Sequence, residues 1–156
     1  MTLEKAEAGE AQALKVWAEK EFEQYEAQHG VAYRMKPFAF AAKEKGEILG
    51  VVRGFTCFSE AYIDDLAVGA QYRAKGIGRQ LMQAAEAYCR ACGVENMNLC
   101  TYGFQAPGFY EKLGFTLEFI RKNRQTARLD KYYYVKYFGA EETAVFVDAA
   151  KRNEIV

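Results

Sequence analysis

The fold is decided by one stretch of sequence, residues 66–81, which runs from a strand through a glycine-bearing loop into a helix. It reads Leu66-Ala67-Val68-Gly69-Ala70-Gln71-Tyr72-Arg73-Ala74-Lys75-Gly76-Ile77-Gly78-Arg79-Gln80-Leu81. Small residues in such a loop allow the backbone to approach a ligand closely. Free N–H groups at the helix start, helped by the helix dipole, favour an anion. The stretch therefore predicts a loop that holds a phosphate or pyrophosphate.

Two common phosphate-binding loops are excluded by the residues themselves. A P-loop ends in Gly-Lys-Ser or Gly-Lys-Thr, whereas Gly78 is followed by Arg79 and Gln80. A dinucleotide-binding turn carries three glycines, and the third is missing after Gly76 and Gly78. The loop must serve another phosphate-bearing ligand.

The elements around this stretch predict a mixed α/β fold. Apolar residues recur at helical spacing in 9–30 and from Ile77 up to Gly93, and Pro107 opens a short helix. Strand patterns flank these helices. Because a strand–helix–strand crossover makes its two strands parallel, the strands on either side of the second helix should pair in parallel. The predicted helices are 9–30, 77–92 and 107–113, and the predicted strands are 37–43, 48–58, 61–68, 97–101, 115–120 and 132–138.

The composition is that of one soluble globular domain. The 156 residues suit a single domain, 1–156, with a core at about 36–138 and a C-terminal tail at 139–156. The formal net charge is zero, so no overall charge favours nucleic acid or an anionic membrane, and the basic loop 121–131 is expected to be solvated. Neither a signal peptide nor a long apolar run is evident. A cytoplasmic location with reduced cysteines is therefore expected.

The histidine and cysteine content excludes several chemistries. The one histidine, His29, lies at a predicted helix end, where it favours the helix dipole, and zinc sites with two histidines are impossible. Cys89 and Cys92 lack a second pair, so no metal site is predicted. A covalent route through Cys100 would lack a histidine to activate the thiol.

Two segments carry a resemblance to a known family. Residues 73–78, Arg-Ala-Lys-Gly-Ile-Gly, match the R/Q-x-x-G-x-G/A acetyl-CoA signature of the GNAT superfamily of N-acetyltransferases. Residues 106–115, Ala-Pro-Gly-Phe-Tyr-Glu-Lys-Leu-Gly-Phe, resemble that family's A-x-x-F-Y-x-K-x-G-F segment. The resemblance extends from about residue 11 to residue 138. It implies a GNAT-like fold, in which a central, mostly antiparallel sheet has one parallel strand pair splayed at the coenzyme A site and helices on both faces.

The resemblance also implies how the donor, acetyl-CoA, would be bound as a co-substrate without a metal. Backbone amides of the signature loop would hold the pyrophosphate, and the pantetheine arm would pair with the backbone of Leu66 and Val68 in the gap between the splayed strands. Many relatives carry an asparagine at the place of Gly103, and Gln105 is expected to substitute for it. The predicted cofactor-binding residues are Leu66, Ala67, Val68, Arg73, Ala74, Lys75, Gly76, Ile77, Gly78, Arg79, Gln105 and Tyr110.

Catalytic roles follow from the same resemblance. Tyr110 matches the family's tyrosine, whose hydroxyl would protonate the leaving thiolate of coenzyme A. A base must remove a proton from the incoming ammonium, and Asp64, Asp65 and Glu60 are candidates because they lie in or beside the strand that ends at the donor site. Strand alternation would place Asp64 and Asp65 on opposite faces, so at most one should reach the acceptor directly.

The predicted function is transfer of an acetyl group to a primary amine. Residues 1–30 carry seven glutamates against three lysines, and together with the candidate bases they favour a small cationic acceptor such as an aminoglycoside or a polyamine. A protein or peptide acetyltransferase, a non-catalytic acetyl-CoA-binding regulatory module and, more remotely, nucleic-acid binding through loop 121–131 stay open. A homodimer is allowed, with no nucleic acid or membrane among the expected partners.

Overall fold

The computed structural model describes residues 1–32 and 34–139, and the chain divides into two compact units. The first unit is Met1–Arg34, and the second begins at Met35. Of the predicted C-terminal tail, 139–156, all but Gly139 lies outside the described residues.

The first unit is built on helix α1, Ala11–Gln28, which follows a 3-10 turn at Ala8–Glu10. The helix ends at His29, whose Nδ1 lies 2.7 Å from the carbonyl oxygen of Tyr25, with the two rings 4.2 Å apart. The interpretation of His29 as a residue of the helix terminus is confirmed.

The second unit is a six-stranded sheet with the spatial order β1-β2-β3-β4-β6-β5. Every neighbouring pair is antiparallel except β3 and β4, which are parallel because helix α2 carries the chain back between them. Helix α3 connects β4 to β5. The strands are β1 Lys36–Glu44, β2 Glu47–Cys57, β3 Glu60–Val68, β4 Asn96–Tyr102, β5 Thr116–Arg121 and β6 Lys131–Tyr137, and the helices are α2 Ile77–Ala91 and α3 Pro107–Glu111.

Helix α2 packs the core against one face of the sheet. It buries Leu81, Met82, Ala85 and Cys89. Each large side chain removed from water there contributes about 1.5–3 kcal/mol. Cys92, the last residue of the predicted helix 77–92, is exposed at the helix end.

Helices α2 and α3 lie on that same face of the sheet. The hydroxyl of Tyr134 donates to Glu111 of α3 at 2.8 Å, and Lys136 Nζ donates to Glu86 of α2 at 2.7 Å. Since Tyr134 and Lys136 are two residues apart on β6, their side chains leave the sheet on one side. The predicted mixed sheet with one parallel pair is confirmed. The prediction also places a helix on the other face, and the remaining helix, α1, belongs to the first unit.

The parallel pair opens into a gap. β3 and β4 are paired only from Glu60 to Ile63 and from Asn96 to Leu99, although β3 runs on to Val68 and β4 to Tyr102. The sheet is therefore split between the ends of these strands, as the splay prediction requires.

Candidate active site

The gap between the ends of β3 and β4 forms a cleft of about 860 Å³. Its walls are the end of β3, the loop and helix start that follow it, and the end of β4 with the turn into α3. Clefts of this size are typical of small-molecule and cofactor sites. The lining residues are Asp64, Asp65, Leu66, Ala67, Val68, Tyr72, Arg73, Ala74, Gly76, Ile77, Gly78, Arg79, Cys100, Thr101, Phe104, Gln105, Ala106, Phe109 and Tyr110.

The loop before α2 has the backbone shape of an anion site. Ala74 and Gly76 both have left-handed backbones, with φ of +60° and +82°, and such residues within a turn direct successive N–H groups to one side. Helix α2 then begins at Ile77, and its first N–H groups have no partner inside the helix. The arrangement fits a pyrophosphate group.

Gly78 keeps this wall of the cleft close to α3. A Cβ atom at Gly78 would lie 3.4 Å from Cζ of Phe109 and 3.7 Å from Cγ2 of Val68. A larger side chain would therefore fill space between the helix start and the strand end.

The free edge of β3 presents the backbone groups that the pantetheine prediction requires. The N–H of Gly69 donates to the carbonyl of Leu49 on the β2 side at 2.9 Å. Because backbone direction alternates along a strand, the N–H and C=O groups of Leu66 and Val68 point the other way, toward the gap that β4 has left.

Two basic side chains of the loop are engaged within the chain. Arg73 Nε donates to the carbonyl of Val68 at 3.1 Å, which ties the loop to the strand end. Lys75 lies with its ammonium 5.5 Å from the ring centroid of Tyr72. Of the predicted cofactor-binding residues, all except Lys75 line the cleft.

A β-bulge at Asp64 overturns the alternation argument about the two aspartates. Gly54 is paired with Ile63 while the adjacent Arg53 is paired with Asp65, so Asp64 is the additional residue. A bulge shifts the phase of side chains along a strand. Asp64 and Asp65 are consequently both exposed and both line the cleft, and the prediction that at most one of them reaches it is wrong.

The surroundings of the three candidate bases differ. Arg53 Nε donates to Asp65 at 2.8 Å, whereas in 1–32 and 34–139 no side chain bonds the Asp64 carboxylate. Glu60 does not line the cleft and accepts hydrogen bonds from the Tyr62 hydroxyl and from Asn96. That bond to Glu60, with burial, raises the pKa of Tyr62 to about 12. Of the three, only the Asp64 carboxylate has no side-chain hydrogen-bond partner among residues 1–32 and 34–139.

Tyr110 lies in the wall of the cleft with its ring against three others. The rings of Phe109, Phe115 and Tyr134 lie 5.2, 5.9 and 6.0 Å away. Burial raises the pKa of the Tyr110 hydroxyl above its ordinary value. Within the described part of the chain that hydroxyl has no hydrogen-bond partner, so it is a protonated donor available to a ligand.

The turn after β4 explains why glycine replaces asparagine at residue 103. A Cβ atom at Gly103 would lie 2.8 Å from the carbonyl oxygen of Ala127, which leaves no room for a side chain. Gln105 instead lines the cleft, and its Oε1 accepts hydrogen bonds from the hydroxyl of Thr101 at 2.9 Å and from the N–H of Tyr102 at 2.8 Å. Its amide nitrogen is then the group left for a ligand.

Sequence reasoning missed how loop 121–131 supports this turn. Asp130 is buried, and its carboxylate accepts hydrogen bonds from Lys122 Nζ at 2.9 Å and from the N–H of Asn123 at 2.8 Å. The carbonyl of Asp130 also accepts from the N–H of Gly103 at 2.9 Å. The one acid in a run of basic residues was the signal that could have revealed this anchor.

The described residues hold neither a candidate metal site nor a candidate membrane-spanning helix. No group of three or more histidine, cysteine, aspartate or glutamate side chains among them could hold a metal ion. None of their helices has the length and apolar character needed to cross a membrane.

The fold and the cleft together define a protein whose amide-lined loop and splayed strand edge suit an extended, phosphate-bearing ligand. A sequence model of the acetyltransferase (GNAT) family matches residues 4–115, which is more than half of the chain. The chain therefore belongs to the GNAT acetyltransferase family.

Individual relatives agree with this assignment. A blasticidin-S acetyltransferase from Streptomyces morookaense is 37% identical over 79 residues, which are 50% of this chain and 58% of the relative. The chain thus spans less than two thirds of that relative's length. Among solved structures, an acetyltransferase from Bacillus cereus ATCC 14579 has a TM-score of 0.74 at 25% identity, covering 88% of this chain and 98% of its own. An aminoglycoside 6'-N-acetyltransferase complexed with coenzyme A has a TM-score of 0.57 at 18% identity, covering 65% and 72%, a likeness of fold alone.

Proposed function

We propose that this chain is an N-acetyltransferase that moves the acetyl group of acetyl-CoA directly to a primary amine of a small cationic molecule. The observation that carries the proposal is the convergence of three features in one cleft. An amide-lined loop, an unpaired strand edge and a half-buried phenol whose pKa is raised share its walls. Each of them fits a different part of acetyl-CoA.

The donor would lie along the cleft from the loop to Tyr110. The amides of 73–78 would hold the pyrophosphate at the start of α2. The pantetheine arm would pair with the backbone of Leu66 and Val68, whose N–H and C=O groups face the gap. The amide nitrogen of Gln105 would bind the arm from the opposite wall.

The reaction is a direct attack of the amine on the thioester. Asp64 would take a proton from the incoming ammonium, directly or through water, so that the neutral nitrogen can attack the carbonyl carbon. The tetrahedral oxyanion would be stabilised by a backbone N–H group near Val68. When it collapses, the C–S bond breaks, the nitrogen loses its second proton to give the neutral amide, and the coenzyme leaves as a thiolate that takes up a proton.

Tyr110 would act on the leaving sulfur. Its raised pKa keeps the phenol protonated through neutral pH, so it can donate as negative charge develops on the sulfur. A thiol ordinarily has a pKa of about 8.5, so the thiolate is a weaker base than the phenolate. The hydrogen bond itself therefore stabilises the departing group, and complete proton transfer is a smaller part of the effect.

The charge of the cleft supports a cationic acceptor. Asp64 and Asp65 are both exposed at its β3 wall, and Arg53 neutralises only Asp65. The name of the blasticidin-S acetyltransferase supports a small-molecule acceptor of the same general kind. The free cysteines Cys57, Cys89, Cys92 and Cys100 fit a reducing compartment, and we place the enzyme in the cytoplasm.

The test is release of coenzyme A thiol from acetyl-CoA over a panel of aminoglycosides, polyamines, blasticidin S, amino acids and lysine peptides. We expect release with a small cationic amine and not with peptides. Release with peptides alone would replace the small-molecule acceptor by a protein. Binding of acetyl-CoA with no release for any amine would contradict the enzymatic proposal and favour a regulatory acetyl-CoA-binding module.

A further inference from the structure

A stacked aromatic pair stands at the β4 wall of the cleft, and the mechanism above does not use it. The rings of Tyr102 and Phe104 lie 5.7 Å apart with an interplanar angle of 24°. Phe104 lines the cleft and is 54% exposed. A phenyl ring open to a cleft contributes little to folding, because its apolar face remains in water.

The pair is held in place by its surroundings rather than by the core. The N–H of Phe104 donates to the carbonyl of Arg128 at 3.0 Å, and the N–H of Tyr102 donates to Gln105 at 2.8 Å. The ammonium of Lys131 lies 5.2 Å from the ring centroid of Tyr102. Since the backbone on both sides of Phe104 is fixed, the free face of its ring is presented to the cleft without a large entropy cost on binding.

Phe104 shares the cleft with the proposed base. Asp64, the first β3 residue beyond the stretch paired with β4, and Phe104, just beyond the end of β4, both line it. The two strands diverge beyond Ile63 and Leu99, so the cleft has a carboxylate on its β3 wall and a flat apolar ring on its β4 wall.

We propose that the acceptor is an amine that also carries a flat, conjugated ring, and that this ring stacks on Phe104 while the amine lies at Asp64. The inference rests on the proposed function and narrows its substrate class. Saturated polyamines and saturated sugars have no π face to offer, whereas any conjugated ring can stack on an aromatic side chain regardless of its detailed hydrogen-bonding pattern. Phe104 then determines specificity and takes no part in the chemical step.

The experiment compares an acceptor that carries a flat conjugated ring with one that carries a saturated six-membered ring. 2-Phenylethylamine and 2-cyclohexylethylamine carry the same amine on the same linker. Their kcat/KM values are measured with the wild type, with Phe104→Leu, which keeps an apolar side chain but removes the ring, and with Phe119→Leu. Phe119 is the matched control because it is also an exposed phenylalanine, 48% exposed and stacked on Tyr133 at 4.3 Å, yet does not line the cleft.

We expect the wild type to prefer the phenyl compound by roughly fivefold to tenfold, as stacking on one ring allows. Phe104→Leu should abolish that preference by raising KM for the phenyl compound with kcat nearly constant, and Phe119→Leu should keep it. Equal use of the two amines by the wild type, or a preference that survives Phe104→Leu, would overturn the inference while leaving acetyl transfer intact. A raised KM for acetyl-CoA in Phe104→Leu would overturn it too, because the ring would then serve the donor.

A failure of the proposed function can be distinguished from a failure of this inference. If no amine releases coenzyme A, equilibrium binding of the same two amines to the protein with coenzyme A present still tests the ring. Tighter binding of the phenyl compound that is lost in Phe104→Leu would support the ring site without the reaction. Equal or absent binding of the two amines would contradict it.

Discussion

At the scale of single residues, Tyr110 is the group whose removal should separate chemistry from binding. Tyr110→Phe deletes a hydroxyl that has no hydrogen-bond partner in the described chain and keeps the ring contacts with Phe109, Phe115 and Tyr134. We expect kcat to fall by about 100-fold, with KM for acetyl-CoA and thermal stability nearly constant. Steady-state assays of thiol release check this, and an unchanged kcat would remove Tyr110 from the mechanism.

The same residue also fixes a pH dependence. Burial raises the pKa of Tyr110 above the ordinary tyrosine value of about 10, and only the protonated phenol can donate to sulfur. The loss of kcat that comes from its ionisation must therefore have its midpoint above pH 10. Tyr110→Phe should lack that limb, whereas a limb shared by both proteins belongs to another group.

Asp64 and Asp65 form a natural pair of variants, because they are adjacent, exposed and isosteric when changed to asparagine. Asp64→Asn should lower kcat/KM at neutral pH by about 100-fold, since the free carboxylate is the proposed base. Asp65→Asn should cause a smaller loss and cost less than about 1 kcal/mol of stability, because its partner Arg53 forms an exposed ion pair. If Asp65→Asn gives the larger loss in activity, the assignment of the base is reversed.

Ala74 stores backbone strain in the signature loop. Its φ of +60° is a left-handed conformation that costs a residue with a Cβ roughly 1–2 kcal/mol. Ala74→Gly should raise the free energy of unfolding by about 0.5–1 kcal/mol, after the greater unfolded-state entropy of glycine is subtracted. Ala87→Gly, at an exposed position inside α2, should instead lower it by about 1 kcal/mol. Urea denaturation of both variants gives the comparison, and destabilisation by both would show that Ala74 is not strained.

At the scale of elements, the parts that follow local rules were predictable and the parts that depend on distant contacts were not. The loop and α2 follow from local glycine placement and helical periodicity, and the observed helix begins at Ile77 as expected. The bulge at Asp64 depends on the neighbouring strand, where a Cβ at Gly54 would lie 2.1 Å from the carbonyl oxygen of Tyr62. No periodicity along β3 alone reveals that constraint, so the strict alternation of Asp64 and Asp65 was the wrong prediction.

Loop 121–131 is the second element whose structure depends on contacts with a distant part of the chain. Its sequence predicts a solvated basic loop, whereas the buried Asp130 anchors it beneath the turn that carries Phe104 and Gln105. Asp130→Asn should lower Tm by several degrees and raise KM for acetyl-CoA severalfold, because the cleft wall is no longer fixed. Thermal unfolding and steady-state kinetics of this variant measure both effects, and a lower Tm with an unchanged KM would confine Asp130 to folding.

The pH dependence of that anchor has a definite sign. The hydrogen bond from Lys122, followed by the one from the backbone of Asn123, lowers the pKa of Asp130 below its ordinary value. A carboxyl group with a depressed folded pKa stabilises the protein above its unfolded pKa, near 3.9, and that contribution is lost as pH falls through the folded value. The difference in Tm between wild type and Asp130→Asn should therefore shrink below about pH 4, and a constant difference down to pH 2 would contradict the role of its charge.

At the scale of the whole molecule, the cleft and the tryptophan lie in different units. Every residue that lines the cleft falls between Asp64 and Tyr110, inside the second unit. The one tryptophan, Trp17, belongs to the first. Tryptophan fluorescence therefore reports directly on the first unit, and calorimetry can follow ligand binding in the cleft of the second.

Binding of the donor should stabilise the second unit by mass action. At a concentration 100 times its Kd, a ligand that binds only the folded state contributes about 2.7 kcal/mol, which in a domain of this size is a rise in Tm of roughly 10 °C. Free coenzyme A should act almost as strongly as acetyl-CoA, because the loop and the strand edge contact parts that both share, and acetate alone should have no effect. Gly78→Val would place a side chain against Phe109 and Val68 and should abolish the shift, whatever its own Tm. A full shift in Gly78→Val would mean that the donor does not enter between the start of α2 and the end of β3, and the cleft would then need another ligand.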